Sequence, residues 1–318
     1  MARSGLSRRT SWGAATLLIG ANLPDIDVLA FLDGPAADLG FRRGWTHGIP
    51  ALFVLPFVLA AAMLGFDHIV RRAGRAALPS GAVPSQLVFL AGIAILTHPI
   101  LDTLNTYGVR WLMPFSGRWF YGDTLFIVDP WLWLMLGLGF VWSGRRRGRR
   151  TSGLNTGPAR AALLLSAAYI AAMALSGVLA RRITAGELTA LTGERVDALM
   201  VGPVLVTPFV REVVATQRSG YWKGTFHWLR RPHIDPASIE RYPRARPAGA
   251  AVSTAVTTPL GKRFLSWARF PVFQVDAAPG GGALVHIFDL RYADHPTAGF
   301  GSVTIPVGPL PASTAPPR

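Results

Sequence analysis

Thr97-His98-Pro99-Ile100-Leu101-Asp102 closes an apolar run that begins at Leu87. A His and an Asp four residues apart fall on one face of a helix. Ionisable groups are costly in an apolar segment, so the pair suggests a bundle interior or a water-filled cavity. Two further polar clusters share that setting, Asn22-Leu23-Pro24-Asp25-Ile26-Asp27 and Arg42-Arg43-Gly44-Trp45-Thr46-His47. Together Asp25, Asp27, His47, His98 and Asp102 offer two imidazoles and three carboxylates. That set suits a hard-to-borderline divalent ion, with zinc favoured and manganese or magnesium as alternatives. The chain has no cysteine, which excludes disulfides and thiolate metal sites.

Each residue also has a plainer reading. Asp25-x-Asp27 follows a proline expected to end the first helix. In an extended stretch, residues i and i+2 point the same way and could share an ion; the alternative is a solvated turn. His47 stands at the start of a span, where an interfacial His is ordinary. His98 and Asp102 could form a self-contained hydrogen bond that locks two helices. Arg43 could hold an anionic substrate oxygen or contact lipid phosphate. Asp123 and Asp129 could orient ligands or act as a general base, but an Asp before Pro130 is also a good helix N-cap. His227, His233, His286 and His295 show no ligand spacing.

The elements that must position these residues are apolar helices. Of 318 residues half are apolar and 15% charged, a low share for a soluble protein of this size. Mean hydropathy is positive. The net charge of +15 comes from Arg clustered beside apolar segments, which fits cytoplasmic loops and anionic headgroups better than nucleic acid. Ser7-Arg8-Arg9-Thr10 hints at a twin-arginine signal, but no small-x-small cleavage site precedes Pro24. The expected spans are Ser11–Leu23, Gly48–Phe66, Gln86–Leu104, Asp129–Ser143 and Ala161–Ala180, with loops at Gly34–Gly40 and Tyr107–Asp123. Arg3, Arg8, Arg9, Arg71, Arg72, Arg75 and the Arg145–Arg150 block then share one side, which the positive-inside rule makes cytoplasmic. All five candidate ligands and Asp129 fall toward the outer face. After Ile183 the long apolar runs stop. Six short β-prone runs follow, at Ala198–Val206, Arg211–Thr216, Tyr221–Trp228, Phe270–Val275, Ala283–Leu290 and Gly301–Val307, with a turn at Pro279–Gly282. Arg230–Ala251 reads as an irregular loop and Pro309–Arg318 as a disordered end. The expected architecture is an α-helical membrane domain of four to five helices, residues 1–182, followed by an extracytoplasmic antiparallel β domain, residues 183–318.

Three of these stretches also carry a resemblance: Asn22 to Asp27, Arg43-Gly44-x-Thr46-His47, and His98-Pro99-x-Leu101-Asp102 running on to Tyr107-Gly108, with Pro114-Phe115 after it. Over roughly Trp12 to Trp142 the chain resembles the YdjM/YbcI-type membrane-bound metal-dependent hydrolases. Phe270-Pro271-Val272-Phe273 and Asp289-Leu290-Arg291-Tyr292 are similar to the tails of longer members. That family is distantly similar to the all-α zinc phospholipase C and P1-type nucleases. The resemblance therefore implies phosphoester hydrolysis, on a lipid or lipid-linked substrate, in the bacterial inner membrane. Two departures stand out. Members usually carry a Thr-His motif in a first helix, which this sequence starts too late to include, so one implied ligand is absent. Many have His where this chain has Arg42.

Overall fold

The computed structural model describes residues 1–74, 81–145, 156–243, 249–278, 281–295 and 299–308. Arg75, the Arg146–Arg150 block, part of the Pro279–Gly282 turn and the Pro309–Arg318 end lie outside the described residues. The chain divides into two compact units: residues 1–30, 41–178 and 202–208 form one, and 31–40, 179–201 and 209–318 the other.

The first unit is helical. It contains α1 (Gly13–Asn22), α3 (Ile49–Arg72), α4 (Pro84–Thr103), α5 (Pro130–Arg145) and the start of α6 (Gly157–Thr192). Four helical stretches are long and apolar enough to cross a membrane: residues 13–33, 49–72, 84–103 and 157–192. α5 has 16 residues in its described part, about 24 Å at 1.5 Å per residue, short of a bilayer's hydrocarbon core. It nonetheless exposes Trp133, Leu134, Leu138, Phe140, Val141 and Trp142. α3 likewise exposes Phe53, Val54, Phe57 and Val58, and α6 exposes Leu164 and Leu165. Apolar surface on this scale is what lipid, not water, would cover.

Inside, α4 is the central helix. Leu87, Leu90, Ala91, Ala94 and Ile95 are buried on it, against Leu17 of α1 and Leu59, Ala60 and Met63 of α3. α1 crosses α4 closely because Gly20 lies on Ala94: a Cβ at Gly20 would stand 2.9 Å from the alanine methyl. Small residues at a crossing let helix backbones approach. The far end is pinned by polar bonds. Asp67 accepts from Trp12 Nε1 at 2.8 Å and pairs with Arg71 at 2.7 Å, and Thr10 accepts from Val83 N at 2.7 Å.

Two sequence expectations for this region change. The α-helix does end at Asn22, but the chain continues as a 3₁₀ helix over Leu23–Asp33 instead of becoming extended. Pro24 sits in the first turn of the new helix, where its missing N–H costs nothing. At three residues per turn, i and i+2 point roughly 120° apart. Accordingly the Asp27 side chain is 1% exposed and Asp25 is 57% exposed, so the two carboxylates do not face one ion together. Gly34–Gly40, expected as a loop, is mostly helix α2 (Pro35–Phe41), opened by a proline that is pre-set for a first turn.

The second unit holds the expected strands. β1 (Ala198–Pro203), β2 (Val210–Gln217) and β3 (Gly220–His227) continue to an unexpected β4 (Glu240–Pro243), in the order β1-β2-β3-β4. β5 (Pro271–Ala277), β6 (Ala283–Asp289) and β7 (Ser302–Val307) form a second, antiparallel sheet. Strand periodicity explains the layering. Leu199, Val201, Val213, Ala215 and Trp222 face Ala180 and Leu188 on the end of α6. The alternate residues Met200, Val214 and Tyr221 face Phe270, Val272, Phe288 and Leu290 of the other sheet. Arg230–Ala251 is not wholly irregular, since Pro236–Ser238 is a 3₁₀ turn and β4 follows. Helices α7 (Ala250–Thr257) and α8 (Pro259–Trp267) were not expected either. α8 carries a Thr258 N-cap bonded to Gly261 N at 3.0 Å and buries Phe264 and Trp267.

Candidate metal centre

The candidate residues converge at the end of the first unit away from Asp67. Four side chains, Asp25, His47, His98 and Asp102, each offer one ligand atom within 4.8 Å of all the others. His98 comes from α4, one turn beyond the Gly20–Ala94 crossing. Its Nδ1 donates to Ala21 O at 2.7 Å, so the close crossing that Gly20 permits also aims this ring. Pro99 does not spoil the i, i+4 pairing: His98 Nε2 stands 3.5 Å from Asp102 Oδ2.

His47 is fully buried and comes from the strap before α3. Its Nδ1 faces Asp27 Oδ2 at 3.2 Å. Asp27 is also held by the Thr46 hydroxyl at 3.0 Å and by Arg43 N at 2.7 Å. Arg43 adopts a left-handed φ of +50°, a conformation a large side chain holds only when its surroundings over-determine it. The bond to Asp27 is one such constraint, and Arg110 N donating to Arg43 O at 2.9 Å is another.

With both Nδ1 atoms engaged, the two Nε2 atoms face inward. His47 Nε2 lies 3.4 Å from Asp102 Oδ2 and 4.0 Å from Asp25 Oδ1, and His98 Nε2 lies 3.3 Å from Asp25 Oδ1. His47 Nε2, His98 Nε2 and Asp102 Oδ2 are buried and make no hydrogen bond. Orphaned buried polar atoms are expensive, and three aimed at one point need an explanation. Atoms about 2.1 Å from one ion at tetrahedral corners stand roughly 3.4 Å apart; three of the distances here, 3.3, 3.4 and 3.5 Å, are close to that, and the fourth, His47 Nε2 to Asp25 Oδ1, is wider at 4.0 Å. Burial pushes the His47 imidazole down, while Asp102 and Asp27 push it up by more, so it titrates above the ordinary histidine range. The pocket therefore attracts positive charge at this point.

Three other candidates lie outside the four-atom group. Asp27 stands behind His47, where it fixes the ring's tautomer and orientation. Arg43 pairs with Asp102 Oδ1 at 3.1 Å, donates to Asn105 Oδ1 at 3.1 Å and lies over the Tyr107 ring. These contacts tie its guanidinium to the end of α4 and the residues just after it. Asp129 caps α5, accepting from Trp131 N and Leu132 N at 3.1 Å each, and receives the Tyr169 hydroxyl at 3.0 Å. It lines the same cleft as Asp102. Asn105 is a residue that sequence reasoning did not single out; its Oδ1 also accepts from Tyr107 N and Gly108 N at 2.8 and 3.2 Å. An Asn one turn past an intramembrane Asp was the available signal. The Ala21 carbonyl had none, because any residue supplies one.

Among known proteins, the family described as YdjM inner membrane protein matches residues 1–180. Uncharacterized protein YfhP of Bacillus subtilis (strain 168) is 26% identical over 121 residues, which are 37% of this chain and 32% of that protein. The chain thus spans about a third of that relative's length. No solved structure matches. The family match takes in more than half of the chain and every residue of the four-atom group, and this chain belongs to the YdjM inner membrane protein family.

Proposed function

We propose that this protein is a membrane-bound metal-dependent hydrolase acting on a phosphoester of a lipid or lipid-linked molecule, with its site at the outer membrane face. The observation that carries the reading is the set of three orphaned atoms, His47 Nε2, His98 Nε2 and Asp102 Oδ2, sharing one point with Asp25 Oδ1. His47, His98, Asp25 and Asp102 would hold the ion, with zinc favoured by a nitrogen–oxygen ligand set and manganese or magnesium as alternatives. A bound divalent ion supplies a water acidified to near neutrality and a Lewis acid for a phosphoryl oxygen.

The chain's own residues do the positioning. Asp27 and the Ala21 carbonyl take the Nδ1 protons, which makes the two Nε2 atoms the ones an ion would engage in place of a proton. The Arg43 guanidinium holds Asp102 Oδ1 at 3.1 Å, so Oδ2 is the oxygen turned toward the two imidazoles. The outer-face orientation rests on the Arg asymmetry, and it places the second unit outside the cytoplasm only if α5 crosses the bilayer.

Metal analysis of the purified protein and two variants tests the reading. Wild type should hold metal stoichiometrically. His98→Ala and Asp102→Asn should each lose it together with any phosphoesterase activity, Asp102→Asn because it keeps shape and removes charge. Wild type without stoichiometric metal, or Asp102→Asn with unchanged metal and activity, would replace this reading with one in which the cluster pins helices or relays ions.

A further inference from the structure

A cleft of about 420 Å³ runs from the last turn of α4 along the first two turns of α5. Its polar lining, Asp102, Asn105 and Asp129, comes from the end of α4, the residues just after it, and the cap of α5. Its apolar lining on α5 is Leu132, Trp133, Leu136 and Gly137. With Asp129 these residues follow the i, i+3, i+4, i+7, i+8 pattern of one helix stripe. From Asp129 to Gly137 the stripe extends about 12 Å. Asp102 thus belongs both to this cleft and to the four-atom group.

The two glycines of α5 within this region differ in kind. A Cβ at Gly139 would stand 2.3 Å from the Ala162 methyl, so its absence allows α5 and α6 to pack. A Cβ at Gly137 would meet nothing within 4 Å. Glycine weakens a helix interior relative to alanine, and no packing contact accounts for Gly137. What its bare backbone does is widen the cleft two turns along α5 from Asp129.

The geometry points to this cleft as the seat of one hydrocarbon chain of a phosphate-bearing lipid, with the phosphate at the Asp102 end. Two observations favour a lipid chain over a soluble ligand. α5 presents Trp133, Leu134, Leu138 and Phe140 to its surroundings, so the cleft opens where lipid lies. The apolar stripe also leads directly to a ligand-group carboxylate, so a chain in the cleft would leave its headgroup beside Asp102. The inference rests on the hydrolase reading for what happens to the headgroup, but chain binding can be measured separately.

The test uses the full chain in phosphatidylcholine nanodiscs. The probes are palmitoyl lysophosphatidic acid, with one chain and one phosphate monoester, and glycerol 3-phosphate, the headgroup alone. Native mass spectrometry reads retained lysolipid, and metal content is measured on the same samples. Wild type should retain the lysolipid, or the monoacylglycerol left once its phosphate is hydrolysed, and not glycerol 3-phosphate. Gly137→Leu should weaken retention about tenfold, the worth of roughly two buried methylenes, and Gly137→Ala should weaken it less. Gly92→Leu is the control, because Gly92 is equally open but lines a different cleft between α3 and α4; it should behave as wild type. If Gly137→Leu retains lysolipid like wild type, or Gly92→Leu loses as much, the assignment is overturned. Retention that depends on Gly137 in a protein without metal supports the cleft and removes the hydrolase reading. Metal and turnover with retention indifferent to Gly137 does the reverse.

Discussion

Each unit buries one cluster of opposite charges, and the two clusters are built differently. In the second unit, Asp289 and Arg291 are both fully buried and paired at 3.0 Å. Arg291 Nε donates to Asp289 Oδ1 at 3.1 Å, and its Nη2 also donates to Trp267 O at 2.9 Å. Asp289 further accepts from the backbone N–H of Arg269, Phe270 and Arg291. Neither residue has a buried polar atom left without a partner. In the first unit, His47 Nδ1, His98 Nδ1 and Asp102 Oδ1 point away from the centre and are held, whereas His47 Nε2, His98 Nε2 and Asp102 Oδ2 point toward it and make no hydrogen bond. A closed network is a structural device, because it satisfies itself. An open network with its unsatisfied atoms converging is built around something that is added.

The largest effect that would break this comparison is on stability. Asp289→Ala leaves Arg291 buried and unpaired, which should cost about 3–5 kcal/mol and leave metal content unchanged. Denaturant unfolding of the purified chain, followed through a signal from the second unit, reads the cost. A loss below about 1 kcal/mol, the range of exposed pairs, would mean that the Asp289–Arg291 network is not the self-satisfied device its geometry suggests.

A smaller effect sharpens the other side. Asp27→Asn keeps the shape behind His47 but weakens the acceptor for its Nδ1 proton. Metal affinity should fall about 10–100-fold while binding stays stoichiometric at high metal concentration, as measured by competition with a chelator. Complete loss of metal would instead make Asp27 a direct ligand and shift the centre of the site toward it.

The smallest perturbation asks whether the two clusters share a side of the membrane. The chain has no cysteine, so single substitutions can be labelled without background. Phe115→Cys and Arg218→Cys, both at exposed positions, should react with an impermeant reagent in intact cells, and Gly148→Cys should not. If Phe115→Cys and Gly148→Cys react together while Arg218→Cys does not, α5 fails to cross, and the second unit lies on the opposite side from the metal centre.

Sequence alone determined the membrane class, the change from long apolar helices to strands along the chain and the six main strands, and it singled out the four residues that converge, Asp25, His47, His98 and Asp102. These follow from local physics. A 20-residue apolar run, a period of two, and an ionisable pair inside an apolar helix can each be read without knowing what lies opposite. The short elements were missed because their signals are weak singly. α2 and α8 each open on a proline that also reads as a turn, and α8's Phe264 and Trp267 are only two apolar positions.

Tertiary structure alone decided which residue of each polar cluster faces inward. Asp25 and Asp27 look equivalent in sequence, but the 3₁₀ continuation past Pro24 turns Asp25 toward the rings and Asp27 behind one of them. Arg43 reads in sequence as a contact for a substrate oxygen or a lipid phosphate, and the structure places Asp102 beside it. Asp129 reads in sequence as a ligand orienter, a general base or a helix N-cap, and the structure shows the cap bonds to α5. The physical reason is common to all three. A side chain's chemistry depends on which of its polar atoms are already satisfied: Thr46 and Asn105 reach Asp27 and Arg43 from distant segments brought together by the packing of α1, α3 and α4, and Tyr169 reaches Asp129 from α6.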